Sequence, residues 1–431
     1  MKILLINPPN CGRSIPEERY GIDSIRQIFR GEPLALEVLA GNLVGHEVRI
    51  LDLKAEPDGM QQTIEAFRPD LAAFTAVTCE ANTVLRLAGE LKECCGAQVA
   101  VGGIHASSDP AFFNQSAIDY IVVGLGKRSL AELAAAIEAG TPTGAIPGVA
   151  ATRPGSPLAF VPRNFGPLDL VEHAPPRYDL VAANRMSYTL SSIGSQLGMV
   201  VSAFGCPYSC SFCCISSQTG GRYLTHSIET VIRDIRLLGD IPVIRLVDAN
   251  TFGNIGHARL LAEAIIAAGI RKHFIADVRS DTVVRYPAIM RKWKEAGLRS
   301  VVIGFEEIAD GDLTSFNKEN SVAVNDEAIA ILHELGITIV GDFIISPDYD
   351  DARFDALEEY VTRLAIDLPI VTVLTPLPGT ALHAELRGQI TIKDLDYYTL
   401  TNAVLPIRLG EKRFYEQYAR LIKQFHATAK L

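Results

Sequence analysis

The sequence predicts an α/β fold built from two successive parallel sheets. A doubly wound sheet is expected over residues 1–150, and a partial (β/α)6 barrel over 198–385. Three observations predict this. Short runs of Val, Ile and Leu alternate with stretches of helical spacing along most of the chain. Such alternation implies parallel strands covered by helices. Glycine, proline and polar residues gather where the apolar runs end, and a proline-punctuated stretch separates the two series.

The first series opens with a strand over 1–6, stopped by Asn7-Pro8-Pro9. A helix follows over 34–44, then a strand over 46–52 and another over 71–77. Helical spacing spans 82–94. The run 99–101 leads into Gly102-Gly103-Ile104-His105, and 118–123 into Gly124-Leu125-Gly126, before a helix over 129–139. Ligands of such sheets bind in the crevice at the carboxyl ends of the strands. Asn7, Pro8, Thr75, Thr78, Gly102, Gly103, His105, Gly124 and Gly126 all fall there. His105 taken alone reads as a loop histidine.

Residues 151–197 read as a connector, broken by Pro154, Pro157, Pro167, Pro175 and Pro176, with a short strand over 188–193. The second series has strands over 199–202, 243–247, 273–278, 300–303, 338–345 and 370–374. Helices are expected over 228–238, 258–268 and 326–334. Asp248, Asn250, Arg279 and Glu306 stand just past strand ends, where barrel active sites are built. Asp248 and Asn250 also read as turn caps, and Arg279 as an ion-pair partner of Asp281 or Glu306. A C-terminal extension covers 386–431, with a helix over 411–424. Its aromatics Tyr397, Tyr398, Phe414 and Tyr418 are expected to pack the helix on the barrel rather than line a pocket.

The chemistry is concentrated in Gly205-Cys206-Pro207-Tyr208-Ser209-Cys210-Ser211-Phe212-Cys213. Cys206, Cys210 and Cys213 offer three thiolates, one short of the corners of a cubic four-iron cluster. One iron is thereby left open to a small ligand. A zinc site would need a fourth ligand. Cys214 abuts Cys213, and His226 has no matching spacing. The chain carries 8 cysteines in 431 residues and no apparent signal peptide, so a reducing cytoplasm is expected and disulfides are not. Net charge is −10, from 40 basic and 50 acidic residues, which argues against nucleic acid as a partner. No apolar run reaches the roughly 20 residues needed to span a bilayer.

These motifs resemble the radical S-adenosylmethionine enzymes that carry a cobalamin-binding domain. The first segment matches in Asn7-Pro8-Pro9, Gly45-His46-Glu47-Val48, Gly102-Gly103-x-His105 and Val122-Val123-Gly124-x-Gly126. The second matches in the cysteine loop, Gly304-Phe305-Glu306 and Thr375-Pro376-x-Pro378-Gly379-Thr380. Departures are the absence of D-x-H-x-x-G, Gly124-Leu125-Gly126-Lys127 in place of Gly-Glu-Gly-Glu, and Ser346-Pro347 in place of Gly-x-Pro. No histidine is thus marked as a lower axial ligand of cobalt.

The resemblance implies a Rossmann-like cobalamin-binding sheet ahead of a radical S-adenosylmethionine barrel. It implies a [4Fe-4S] cluster on Cys206, Cys210 and Cys213, and S-adenosylmethionine near Phe212, Asp248, Arg279 and Glu306. Cobalamin is implied at the strand ends of the first sheet. The implied reaction is reductive cleavage of S-adenosylmethionine to a 5′-deoxyadenosyl radical, leading to methyl transfer onto an unactivated carbon of a small-molecule substrate. An external electron donor such as flavodoxin or ferredoxin is implied. Two alternatives stand beside it: another radical reaction (cyclisation, rearrangement or aminocarboxypropyl transfer), and a non-enzymatic iron–sulfur sensor or electron carrier.

Overall fold

A computed structural model describes residues 1–22, 30–172, 174–190 and 194–429. Its first sheet contains β1 (Lys2–Asn7), β2 (Glu47–Asp52), β3 (Leu71–Thr75), β4 (Gln98–Gly102), β5 (Tyr120–Val122) and β6 (Val149–Ala151). Their spatial order is β2-β1-β3-β4-β5-β6, and all neighbours are parallel except β6. Both faces are buried, which is why these strands read as continuous apolar runs. Leu4, Ile6, Phe74 and Val99 pack toward Val84 and Leu91, while Ile3, Leu5, Leu71 and Ala100 pack toward Leu36, Leu130 and Leu133. The antiparallel β6 escapes the sequence reading because three residues are too few to show a period.

The second half begins with β7 (Thr189–Leu190), which pairs antiparallel with β8 (Ser195–Val200). Of the strand expected over 188–193, residues 191–193 lie outside the described residues. The short β9 (Ala203–Phe204) and β10 (Leu224–Thr225) pair across the base of the cysteine loop. Then come β11 (Val243–Leu246), β12 (His273–Asp277), β13 (Leu298–Glu306), β14 (Thr338–Ile345) and β15 (Leu368–Val373). The order β15-β14-β13-β12-β11-β8-β7 leaves six consecutive parallel strands, the open barrel expected.

Outward-facing Phe274, Val301, Ile303, Ile339, Phe343 and Val371 are buried beneath the helices with Leu261, Trp293, Ile329 and Leu357. Two of these helices start earlier than their apolar spacing suggests. Asn254 caps Ile255–Ala267, and Ser321 caps Val322–Glu334, each side chain accepting a backbone N–H of the first turn. The last helix, Glu411–Thr428, packs on β15: Phe414 and Tyr418 are buried, and the Tyr418 hydroxyl donates to the Val371 carbonyl at 2.9 Å.

The halves are tied together by charge. Glu32 accepts the Met199 N–H of β8 at 2.6 Å and pairs with Arg185. In the connector, Glu172 takes Lys127 from the first half at 3.1 Å and Arg233 from the first barrel helix. Among the described residues, no helix is long and apolar enough to cross a membrane.

Candidate active site

The cysteine loop is fastened at both ends. Where β8 finishes, the carboxylate of Asp248 accepts the Ser202 N–H at 2.7 Å, the Ala203 N–H at 2.9 Å and the Ser202 hydroxyl at 2.6 Å. Asp248 is 2% exposed; burial raises its pKa, and these hydrogen bonds oppose the rise. Gly205 follows with φ +78°, and a Cβ there would lie 2.0 Å from the Arg222 carbonyl oxygen, so only glycine fits. Further along, the Ser211 N–H donates to the Phe316 carbonyl and the Leu382 N–H to the Ser211 carbonyl, both at 2.9 Å. Asn317 donates to the Ser209 carbonyl at 3.0 Å. Phe212 packs edge-to-face on Phe316, with ring centres 5.4 Å apart.

All three loop cysteines are free thiols. Burial raises Cys210 and pushes Cys213 up to about 12. Among the described residues, no three His, Cys, Asp or Glu side chains form a group for a single metal ion. Three thiols spread along one loop suit a cube, whose cysteine ligands sit on separate irons.

Arg279 and Glu306 flank the loop but are engaged by protein groups. The Arg279 guanidinium stacks on the Tyr208 ring, 3.6 Å from its centre. It donates to the Lys318 carbonyl at 2.7 Å and to Asp281 at 2.9 Å, the ion pair anticipated for it. Glu306 pairs with Lys318 at 2.6 Å and sits at φ +66°, a conformation that β-carbon-bearing residues adopt at a cost of about 1–2 kcal/mol. Lys318 was not visible as a site residue, because it follows a short helix rather than a strand. Replacing Lys318 with alanine strands the Glu306 carboxylate, and a loss of roughly 3 kcal/mol is expected. Urea unfolding of the apo-protein checks this; an unchanged midpoint would refute it.

A cavity of about 460 Å³ lies between the carboxyl ends of the two sheets. Thr75, Gly102, Gly103, Gly124 and Gly126 wall it from the first sheet, and Gly205, Asp248, Arg245 and Asp277 from the second. At Gly103 (φ +96°) a Cβ would come within 2.7 Å of the Thr75 hydroxyl, so the backbone itself forms the wall. Lys127 also borders the cavity; burial lowers its pKa, and Glu172 opposes that. The lysine at this position therefore finds its counter-ion in the connector.

Arg245 and Asp277 form an ion pair facing the cavity, and burial pushes Asp277 up to about 6. Both lie inside strands, where a charge among apolar residues was the available signal.

Four residues expected at the first sheet's ligand crevice do not border the cavity. Asn7 is buried and donates to Asp52 at 2.8 Å. Pro8 and Thr78 do not line it. His105 is fully buried against Phe112 and Phe113, with ring centres 5.2 and 5.6 Å away. Among the described residues neither ring nitrogen has a hydrogen-bond partner, and burial lowers its pKa to about 4, which favours the neutral ring.

Comparison with known proteins agrees with this arrangement. Residues 29–134 match the B12 binding domain, and residues 200–361 the radical SAM superfamily. The hopanoid C-3 methylase of Methylococcus capsulatus is 31% identical over 405 residues, covering 91% of this chain and 76% of its own. The anaerobic magnesium-protoporphyrin IX monomethyl ester cyclase of Cereibacter sphaeroides is 30% identical, over 81% of this chain and 58% of its own. In fold, the chain superposes on the radical S-adenosylmethionine methyltransferase TsrM of Kitasatospora setae, solved with cobalamin and a [4Fe-4S] cluster. The TM-score is 0.73 at 20% identity, covering 97% of this chain and 84% of that one. Three free thiols on one loop, and a glycine-walled cavity beside them, fit the groups such proteins carry. The chain belongs to the radical S-adenosylmethionine enzymes with a B12-binding domain, a family that works with a [4Fe-4S] cluster, S-adenosylmethionine and cobalamin.

Proposed function

We propose that the protein transfers a methyl group to an unactivated carbon of a small-molecule substrate. The observation that supports this most directly is a cavity walled by strand ends of both sheets. When bound, S-adenosylmethionine with the cluster supplies a hydrogen-abstracting radical, and cobalamin supplies the methyl group. Cys206, Cys210 and Cys213 hold the cluster. Phe212, Arg279 and Glu306 shape the S-adenosylmethionine side, and Asp248 keeps the loop in place. Thr75, Gly102, Gly103, Gly124 and Gly126 form the cobalamin side; Asn7, Pro8, Thr78 and His105 stand at strand ends of the same sheet without lining the cavity. Residues 1–150 form the cobalamin unit, 151–197 the connector, 198–385 the barrel and 386–431 its extension. The working compartment is the cytoplasm, whose reducing poise suits eight free cysteines. An external one-electron donor of the flavodoxin or ferredoxin kind completes the system.

The cyclase relative favours a second reading, in which the radical leads to ring closure without methylation. Products decide. After anaerobic reconstitution with iron, sulfide and hydroxocobalamin, methyl transfer yields 5′-deoxyadenosine together with S-adenosylhomocysteine. Ring closure yields 5′-deoxyadenosine alone, and a protein that takes up no corrinoid would sink the methylation reading.

A further inference from the structure

The concave face of the barrel is not packed shut. Along β12 to β15 the inward residues Ile275, Val302, Val340, Asp342 and Ile370 are half-buried, while their outward neighbours are buried under helices. A closed barrel fills this space with layers of side chains. Here these side chains stay partly accessible, and Arg245 and Asp277, on the same face, also border the cavity.

The charges around the lumen are matched, with one exception. Arg245 closes on Asp277, and Lys318 on Glu306. Each pair is neutral in itself. Asp342 lies near all four of these groups, but its carboxylate makes no hydrogen bond or ion pair with any described residue. Its in-register neighbours are Gly304 on β13 and Ile370 on β15, and β15 carries no charged residue. Burial, with Glu306 and Asp277 nearby, pushes its carboxyl up to about 8. An ionised carboxylate in that setting lacks one positive charge, which the described residues do not provide.

We infer that Asp342 anchors a cationic amino group of the substrate, whose apolar part lies along Ile275, Val302, Val340 and Ile370. The substrate class is thus a small apolar molecule bearing a protonated amine. This rests on the methyl-transfer reading above and adds to it that the substrate enters the concave face of the barrel. On binding, the Asp342 proton is released to solvent and the carboxylate faces the ammonium group.

Hexylamine, hexanol and hexanoate, titrated calorimetrically into the reconstituted holoprotein with S-adenosylmethionine present, test this. The amine is expected to bind about tenfold more tightly than the alcohol, the size expected of one charge-assisted hydrogen bond, and hexanoate more weakly than either. At pH 7 amine binding releases close to one proton, read from the dependence of heat on buffer; at pH 9, where Asp342 is largely ionised, the release shrinks. Asp342→Asn brings the amine down to the alcohol's affinity. Equal affinity of amine and alcohol, or no proton release at pH 7, overturns the inference without reliance on a variant. Formation of 5′-deoxyadenosine by the same preparation checks the enzymatic reading separately. A preparation that forms it yet shows no amine preference refutes only the anchor.

Discussion

Replacing Cys206, Cys210 or Cys213 singly with alanine is expected to reduce 5′-deoxyadenosine formation to background. Each carries a thiol that no neighbour can replace. Among the other cysteines, Cys214 is adjacent to Cys213, while the remaining four belong to the first half of the chain. The readout is twofold: the visible absorbance of the reconstituted cluster, and nucleoside product by chromatography. Cys214→Ala provides the contrast and should keep both. Retention of a four-iron cluster and of activity in any of the three loop variants would refute the ligand assignment. Loss of the cluster in Cys214→Ala would mean that a fourth protein thiol caps the cube.

The second large effect is expected at Asp248. Its carboxylate is the acceptor for two backbone N–H groups and one hydroxyl at the end of β8. Alanine there leaves those buried donors unsatisfied, at about 1–3 kcal/mol for each group. Even after discounting the relief of a desolvated carboxylate, a loss of roughly 4 kcal/mol is expected in Asp248→Ala. Asparagine keeps an acceptor for the two N–H groups, and the Ser202 hydroxyl can turn to accept instead of donate, so Asp248→Asn should lose far less. Chemical denaturation of both apo-variants separates the two, and iron content after reconstitution reports whether the loop still holds its shape. Equal losses in both would show that charge, rather than hydrogen bonding, holds this corner.

Much of this architecture is legible in the sequence. Runs such as Lys2–Asn7 and Thr338–Ile345 are apolar because helices cover them, and this burial leaves a pattern in the residues themselves. The cysteine spacing and the Glu306 position were also readable, since both belong to contiguous motifs. Partners brought together by folding were not. Lys318 reaches Glu306 across 12 positions, and Asp248 reaches Ser202 across 46. Arg245 and Asp277 meet only because neighbouring strands place both on the concave face. The orientation of His105 was not readable either: its sequence position is at a strand end, and the short helix Ile104–Ser108 turns it into the core beside Phe113.

Glu172 has a wider consequence. One carboxylate receives a lysine from the sheet half and an arginine from the barrel half, and Glu32 from the sheet half receives a main-chain N–H of β8. Pulling the halves apart would leave two acids without their counterparts and open the space between them to water. Heat should therefore melt this molecule in one cooperative step rather than in two. The chamber where a highly reactive species is handled has walls that cannot drift open independently of the fold itself.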